Sequence, residues 1–91
     1  MKIILGTNQI RDKQTFKVGS ICPVIETKWC YDHLKAQFVI RSGDKQYDVN
    51  YKSVICVITD DEADLMMMKA INIKLISAGK KPIKIHKDIT N

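Results

Sequence analysis

Glycine and proline are scarce in this chain, at four and two of 91 residues. So few breakers leave no room for a flexible linker or a low-complexity segment, and one domain is expected over residues 1–91. No apolar run approaches the about 20 residues that a membrane-spanning helix needs. The opening Met1-Lys2-Ile3-Ile4-Leu5-Gly6-Thr7 holds an apolar stretch of three residues. A secretory leader needs roughly 7–15, so an edge strand is expected there, in a cytoplasmic chain with no membrane partner. Cysteine is equally uninformative as a framework. Cys22, Cys30 and Cys56 form an odd set with no CxxC pair, which argues for reduced structural thiols rather than disulfides. A Gly-rich phosphate cradle is also missing, because Gly43 reads as a hairpin turn and Gly79 as a helix end.

What is present is ordinary globular usage, 45% hydrophobic and 27% charged, with a net charge of +5. A domain of this size buries somewhat more than about 60% of its unfolded surface, enough for a modest core. Abundant Ile and Lys with scarce Ala and Arg suit an AT-rich genome, so an accessory protein of a phage or mobile element is the expected kind of source. The charge is unevenly placed. Residues 1–59 carry nine Lys/Arg against five Asp/Glu, residues 60–70 carry Lys69 against Asp60, Asp61, Glu62 and Asp64, and residues 71–91 carry five lysines against Asp88. The acidic block has a local reason, since carboxylates stabilise the positive end of a helix dipole. The basic regions have none, and a basic surface attracts nucleic acid, acidic proteins or anionic lipid alike.

Strand patterns fill the first two thirds. Residues 2–5 read as a short strand and residues 7–15 as a polar loop. Residues 16–27 are strand-rich, with a bend at Gly19 and an edge or irregular point at Pro23. Residues 28–35 read as a long loop. Phe38-Val39-Ile40 leads through Ser42-Gly43-Asp44-Lys45 into Tyr47-Asp48-Val49-Asn50-Tyr51, a hairpin whose Tyr47, Val49 and Tyr51 share the core face. Tyr51-Lys52-Ser53 turns the chain into the buried run Val54-Ile55-Cys56-Val57-Ile58. Thr59 with Glu62 forms a capping-box pattern, so a helix is expected from about Asp60 to Ala78, ended by Gly79 and Pro82. Its main stripe is Leu65, Met68, Ile71, Leu75 and Ala78. A competing alternation, Ile71-Asn72-Ile73-Lys74-Leu75, would pair as a strand with residues 82–86, but the helix has both start and stop chemistry. Residues 80–91 are read as a basic tail or edge strand.

The expected fold class is α+β, a small bent antiparallel sheet or partly open barrel of about five strands with one C-terminal helix. Over residues 16–58 the succession of a Gly-containing strand, a long loop, a tight hairpin, a one-turn connector and a last strand resembles the small Src-homology-like barrels. The likeness is one of architecture, and it carries no functional residues with it.

No catalytic site is expected. Cys22, Cys30, His33, Cys56 and His86 are donors enough for zinc, but their spacings match no knuckle, ribbon or finger. Cys30, Asp32 and His33 are neighbours in sequence, whereas catalytic triads are assembled from separate elements. A chain of this size leaves little room for a ligand pocket, so no cofactor, metal or small-molecule substrate is expected. Two binding readings remain. The first is a non-catalytic module acting by protein contact, as a homodimer or with another protein. Met66, Met67 and Met68 point in three directions about 100° apart on a helix, so they cannot all face one core. Met66, Ile73 and Ile76 fall off the main stripe and are the expected interaction residues. The alternative is a small basic nucleic-acid-binding protein, with Lys28, Trp29, Tyr31, His33 and Lys35 in one loop and Lys80, Lys81, Lys84 and Lys87 adding phosphate contacts.

Overall fold

The computed structural model describes residues 1–11 and 13–87. It is an α+β fold. A sheet carries one helix, in the order β1 (Lys2–Leu5), β2 (Gln9–Arg11), β3 (Gln14–Phe16), β4 (Ile21–Cys30), β5 (Lys35–Ser42), β6 (Lys45–Asn50), a 3-10 turn (Tyr51–Ser53), β7 (Val54–Ile58), α1 (Glu62–Ser77) and β8 (Ile85–His86). Six strands line up as β6-β5-β4-β1-β7-β8, and β2 with β3 forms a separate hairpin. The row has β6 at one end and β8 at the other, with no closure into a ring among the described residues.

Two expectations about the sheet are corrected. β1 is not an edge strand: it lies between β4 and β7, with Ile3 opposite both Cys22 and Val57. The sheet is also not purely antiparallel, because β8 runs parallel to β7. That pairing makes β7-α1-β8 a crossover unit, which a helix of this length can span. Val57 donates its amide to the Lys84 carbonyl at 2.8 Å and Thr59 to the His86 carbonyl at 3.0 Å.

β4 serves two partners with its two halves. Its start pairs with β1 and its remainder with β5, and the register shifts between Val24 and Glu26. Pro23 sits at this change. Val24 donates to the Met1 carbonyl at 3.0 Å, so strand alternation turns the nitrogen of residue 23 away from β1. On that side the pairing with β5 begins only at Val24, and the missing proline N–H costs no ladder bond.

The region expected as a polar loop, residues 7–15, instead contains most of the β2–β3 hairpin. Lys13 takes the left-handed conformation, φ 68°, a role usually given to glycine. Phe16 then meets Tyr47 edge to face, with ring centroids 5.7 Å apart. The Tyr47 hydroxyl is buried with no hydrogen-bond partner among the described residues. The region expected as a long loop, residues 28–35, is likewise strand at both ends. Lys28, Trp29 and Cys30 continue β4 and pair with Gln37, Ala36 and Lys35. Only residues 31–34 form the turn, where Leu34 has φ 48°.

The β5–β6 hairpin matches the sequence reading. Ser42 pairs with Lys45 across Gly43 at φ 61°, and Tyr47, Val49 and Tyr51 are all buried. They join Ile3, Leu5, Phe38, Ile40 and Val57 in one core, covered by Met68, Ile71 and Leu75 of α1.

The helix is as expected in place but not in its cap. Thr59 cannot close a capping box, because its amide is committed to His86 in the sheet. Asp61 caps instead, its Oδ1 accepting from the Asp64 amide at 3.0 Å, while the Thr59 hydroxyl donates to Asp64 Oδ2 at 3.3 Å. At the other end Gly79, φ 76°, donates to the Ile76 carbonyl and Lys80 to that of Leu75, the double bond pattern of a Schellman close. Ala78, expected in the buried stripe, is exposed at this cap. Asp61→Ala is expected to cost about 1 kcal/mol in urea denaturation, with Asp61→Asn nearly neutral. An equal loss for Glu62→Ala would return the cap to the Thr59–Glu62 pair.

Candidate functional site

Three surfaces compete for a functional role, and each follows from how its elements were built. The first is the outer side of α1. Met68 is 0% exposed and faces the core with Ile71 and Leu75, Met67 is half-buried, and Met66 is 72% exposed. At 100° per residue Ile73 lies within about 20° of Met66 and Ile76 about 80° from it, with exposed Lys69 between the two isoleucines. Ile73 and Ile76 are 63% and 58% exposed. With exposed Ala70 beside them they make a second, largely apolar strip on the outer side, interrupted by Lys69. The three residues singled out from sequence are therefore together on one face.

The second surface is the outer face of the sheet. Ile4 pairs with Ile21 on one side and Cys56 on the other, and all three alternate away from the core residues Ile3, Cys22 and Val57. Ile21 remains exposed there, while Cys56 is buried. The continuous apolar runs of β1 and β7 were the signal for it, since such runs are usual where both sheet faces are covered. Here α1 covers one. Burial pushes the thiols of Cys22, on the core side, and Cys56, on this side, up from the ordinary range, with Lys84 partly opposing the shift at Cys56. Thiols so shifted carry little thiolate near neutral pH.

The third surface is basic, and it redistributes the residues of the nucleic-acid reading. Lys28 projects from β4 and pairs with Asp48 of β6 at 3.4 Å. Trp29 is half-buried and packs against the core, its ring 5.7 Å from that of Tyr31 in an edge arrangement. Tyr31 is exposed, with the Lys74 ammonium 5.9 Å from its ring centroid. None of these three lines the hollows that hold the remaining lysines. Lys35 and Lys80 instead line one hollow of about 260 Å³ together with His33, Asn50, Tyr51 and Lys52. Lys80 and Lys81 line a neighbouring hollow of about 470 Å³ with Tyr51, Lys52 and Lys84, over apolar Val54, Ile55, Pro82 and Ile83. Tyr51, Lys52 and Lys80 belong to both.

Local folding explains this convergence. Asn50 Oδ1 accepts from the Lys52 amide at 2.9 Å and sets the 3-10 turn, which buries Tyr51 and leaves Lys52 outside. Gly79 turns the chain back, and Asn72 of α1 grips Ile83 on both backbone groups, at 2.8 and 2.9 Å. Residues 80–84 are thereby held beside the start of β7. His33 and Lys84 belong to the sequence reading, whereas Lys52 was missed, because nothing in a single sequence reports that residues 33–35, 50–52 and 80–84 share one end of the fold. The larger hollow falls within the volume range of ligand sites, for which so short a chain was expected to leave little room.

Among the described residues, no three of His, Cys, Asp and Glu come together as a metal site, and no helix is long and apolar enough to cross a membrane. Comparison of the chain with protein-family models, with curated proteins and with solved structures finds no match in any of the three.

Proposed function

We propose that this chain is a non-catalytic binding module that acts by protein contact through the outer face of α1, and that the partner on that face is a second copy of the chain. The observation that carries this reading is the second apolar stripe, Met66, Ile73 and Ile76, placed opposite the core stripe of the same helix. Large apolar side chains exposed together on one element mark a surface that gains by being covered.

A second copy would match the stripe in register and in the charge at its ends. In an antiparallel helix pair whose two-fold axis passes between Lys69 and Ala70, Met66 of each copy faces Ile73 of the other. Small Ala70 then lies at the crossing, where backbones approach most closely. The same register carries the acidic Asp60, Asp61 and Glu62 of one copy toward Lys80 and Lys81 of the other. A self-complementary patch of this kind is the usual basis of a closed dimer.

Light scattering after size exclusion is expected to give twice the chain mass for the wild type. Met66→Glu and Ile73→Glu are each expected to give the single-chain mass with unchanged circular dichroism. A wild type that stays monomeric into the millimolar range sinks the reading. So does a dimer indifferent to both substitutions, which would move the contact to the sheet face around Ile21 and Ile4.

A further inference from the structure

We propose that the two adjoining hollows around Tyr51 form one cleft that binds single-stranded nucleic acid. This goes beyond the self-association of α1 and rests on different residues. Lys35, Lys52, Lys80, Lys81 and Lys84 converge there, with His33 at one end, and among the described residues no Asp or Glu lines either hollow. The ion pairs of Asp64 with the amino terminus and of Lys28 with Asp48 lie elsewhere. Five like charges gathered without a carboxylate in the lining repel one another, and an anion bound among them relieves that repulsion.

The cleft is not only cationic, which narrows the anion. Its larger part has an apolar floor in which Pro82 is exposed and Ile55 half-exposed, while Asn50 supplies hydrogen-bonding groups in the smaller part. A ligand that suits both features alternates phosphates with flat, largely apolar groups. A single strand does this with its unstacked bases, whereas a duplex hides the base faces and presents phosphates alone. An anionic membrane would meet a flat or protruding surface better than a recess. The carbonyls at the end of α1 do not oppose the ligand strongly, because those of Leu75 and Ile76 are already occupied by the amides of Lys80 and Gly79.

Phosphate contacts predict a definite salt dependence. Each phosphate neutralised on a single strand contributes about −0.7 to the slope of log K against log salt, so five lysines set a limit near about −3.5. The test is a fluorescence-anisotropy titration of a short labelled oligonucleotide of mixed sequence, repeated across salt concentrations. Wild type and Met66→Glu are both measured, since Lys80 and Lys81 also enter the charge match of the proposed dimer. Both proteins are expected to bind the single strand. Lys52→Gln and Lys84→Gln are each expected to weaken binding and flatten the slope by about 0.7. Lys17→Gln, outside the cleft, is expected to leave both unchanged.

Five results would overturn the assignment. No binding at low salt removes it outright. Equal loss from Lys17→Gln makes the attraction a diffuse property of net charge. Tighter binding of a duplex of the same length removes the role of the apolar floor. Displacement of the strand by vesicles containing phosphatidylserine, at lower phosphate concentration than unlabelled strand, reassigns the surface to lipid. Loss of binding in Met66→Glu alone would show that the site needs the dimer, and would likewise overturn a cleft complete within one chain.

Discussion

Met68→Ala is expected to lower the stability of the fold by about 2–5 kcal/mol, while Met66→Ala, two residues away, changes it by no more than about 0.5 kcal/mol. The two side chains are chemically identical and sit in one run of three methionines, so composition and propensity cannot separate them. Position does. Met68 is fully buried among Ile71, Leu75 and the strand residues beneath them, and its truncation leaves a hole that close-packed neighbours fill only in part. Met66 already meets solvent, and alanine is the better helix former. Urea denaturation at a concentration where the wild type is monomeric separates the folding term from self-association. Similar losses at both sites would mean that α1 is rotated about its axis, away from the orientation that buries Met68, and the proposed contact face would fall with it.

Asn72→Ala is the second large effect, expected at about 2–3 kcal/mol. Asn72 Oδ1 accepts from the Ile83 amide and Nδ2 donates to the Ile83 carbonyl, so one side chain does what a neighbouring strand would do for that residue. Ile83 is buried, and stripping both partners leaves a donor and an acceptor without compensation, at about 1–3 kcal/mol for each that stays dry. Asn72→Asp keeps the acceptor and loses the donor, so it should fall between. Hydrogen exchange supplies a readout that overall stability does not. The amides of Ile83, Val57 and Thr59 should lose protection together in Asn72→Ala, since the last two bond to the segment that Asn72 holds. Unchanged protection at those three amides would show that β8 is secured by its own pairing alone.

Wherever a local pattern decides the structure, the sequence is a good guide. The alternation in β6 places Tyr47, Val49 and Tyr51 on the core, and the glycine and proline beyond α1 mark its end. The 100° step alone separates Met66, Ile73 and Ile76 from the core stripe. Failures come where a tertiary contact overrides a local signal. Thr59 and Glu62 form a plausible cap, but the Thr59 amide is taken by His86, a residue far along the chain. The β2–β3 hairpin has no glycine in its turn region to announce it, and Lys13 accepts the left-handed conformation instead. Residues 28–30 look unpatterned because Lys28 faces outward to Asp48 while Trp29 faces the core, which is an alternation too short to stand out. The lysine cleft is least legible. It gathers three segments whose proximity is created by the β7-α1-β8 crossover and by the Asn72 clamp, and neither feature is visible as a motif.

The central place of β1 has a consequence for how the chain comes to be folded at all. β4, β5 and β6 succeed one another through short turns and can pair as soon as each is made. β1 is synthesised before them, yet its second neighbour, β7, follows the whole meander, with Ile3 waiting for Val57. Closing so long a loop is slow compared with closing a hairpin. Until it closes, the strand Lys2-Ile3-Ile4-Leu5 exposes one unpaired, apolar edge, the form of backbone most able to capture a strand from another nascent chain. Aggregation during expression should therefore track the delay between the emergence of β4 and that of β7, and a slower passage of the ribosome through β5 and β6 should make it worse.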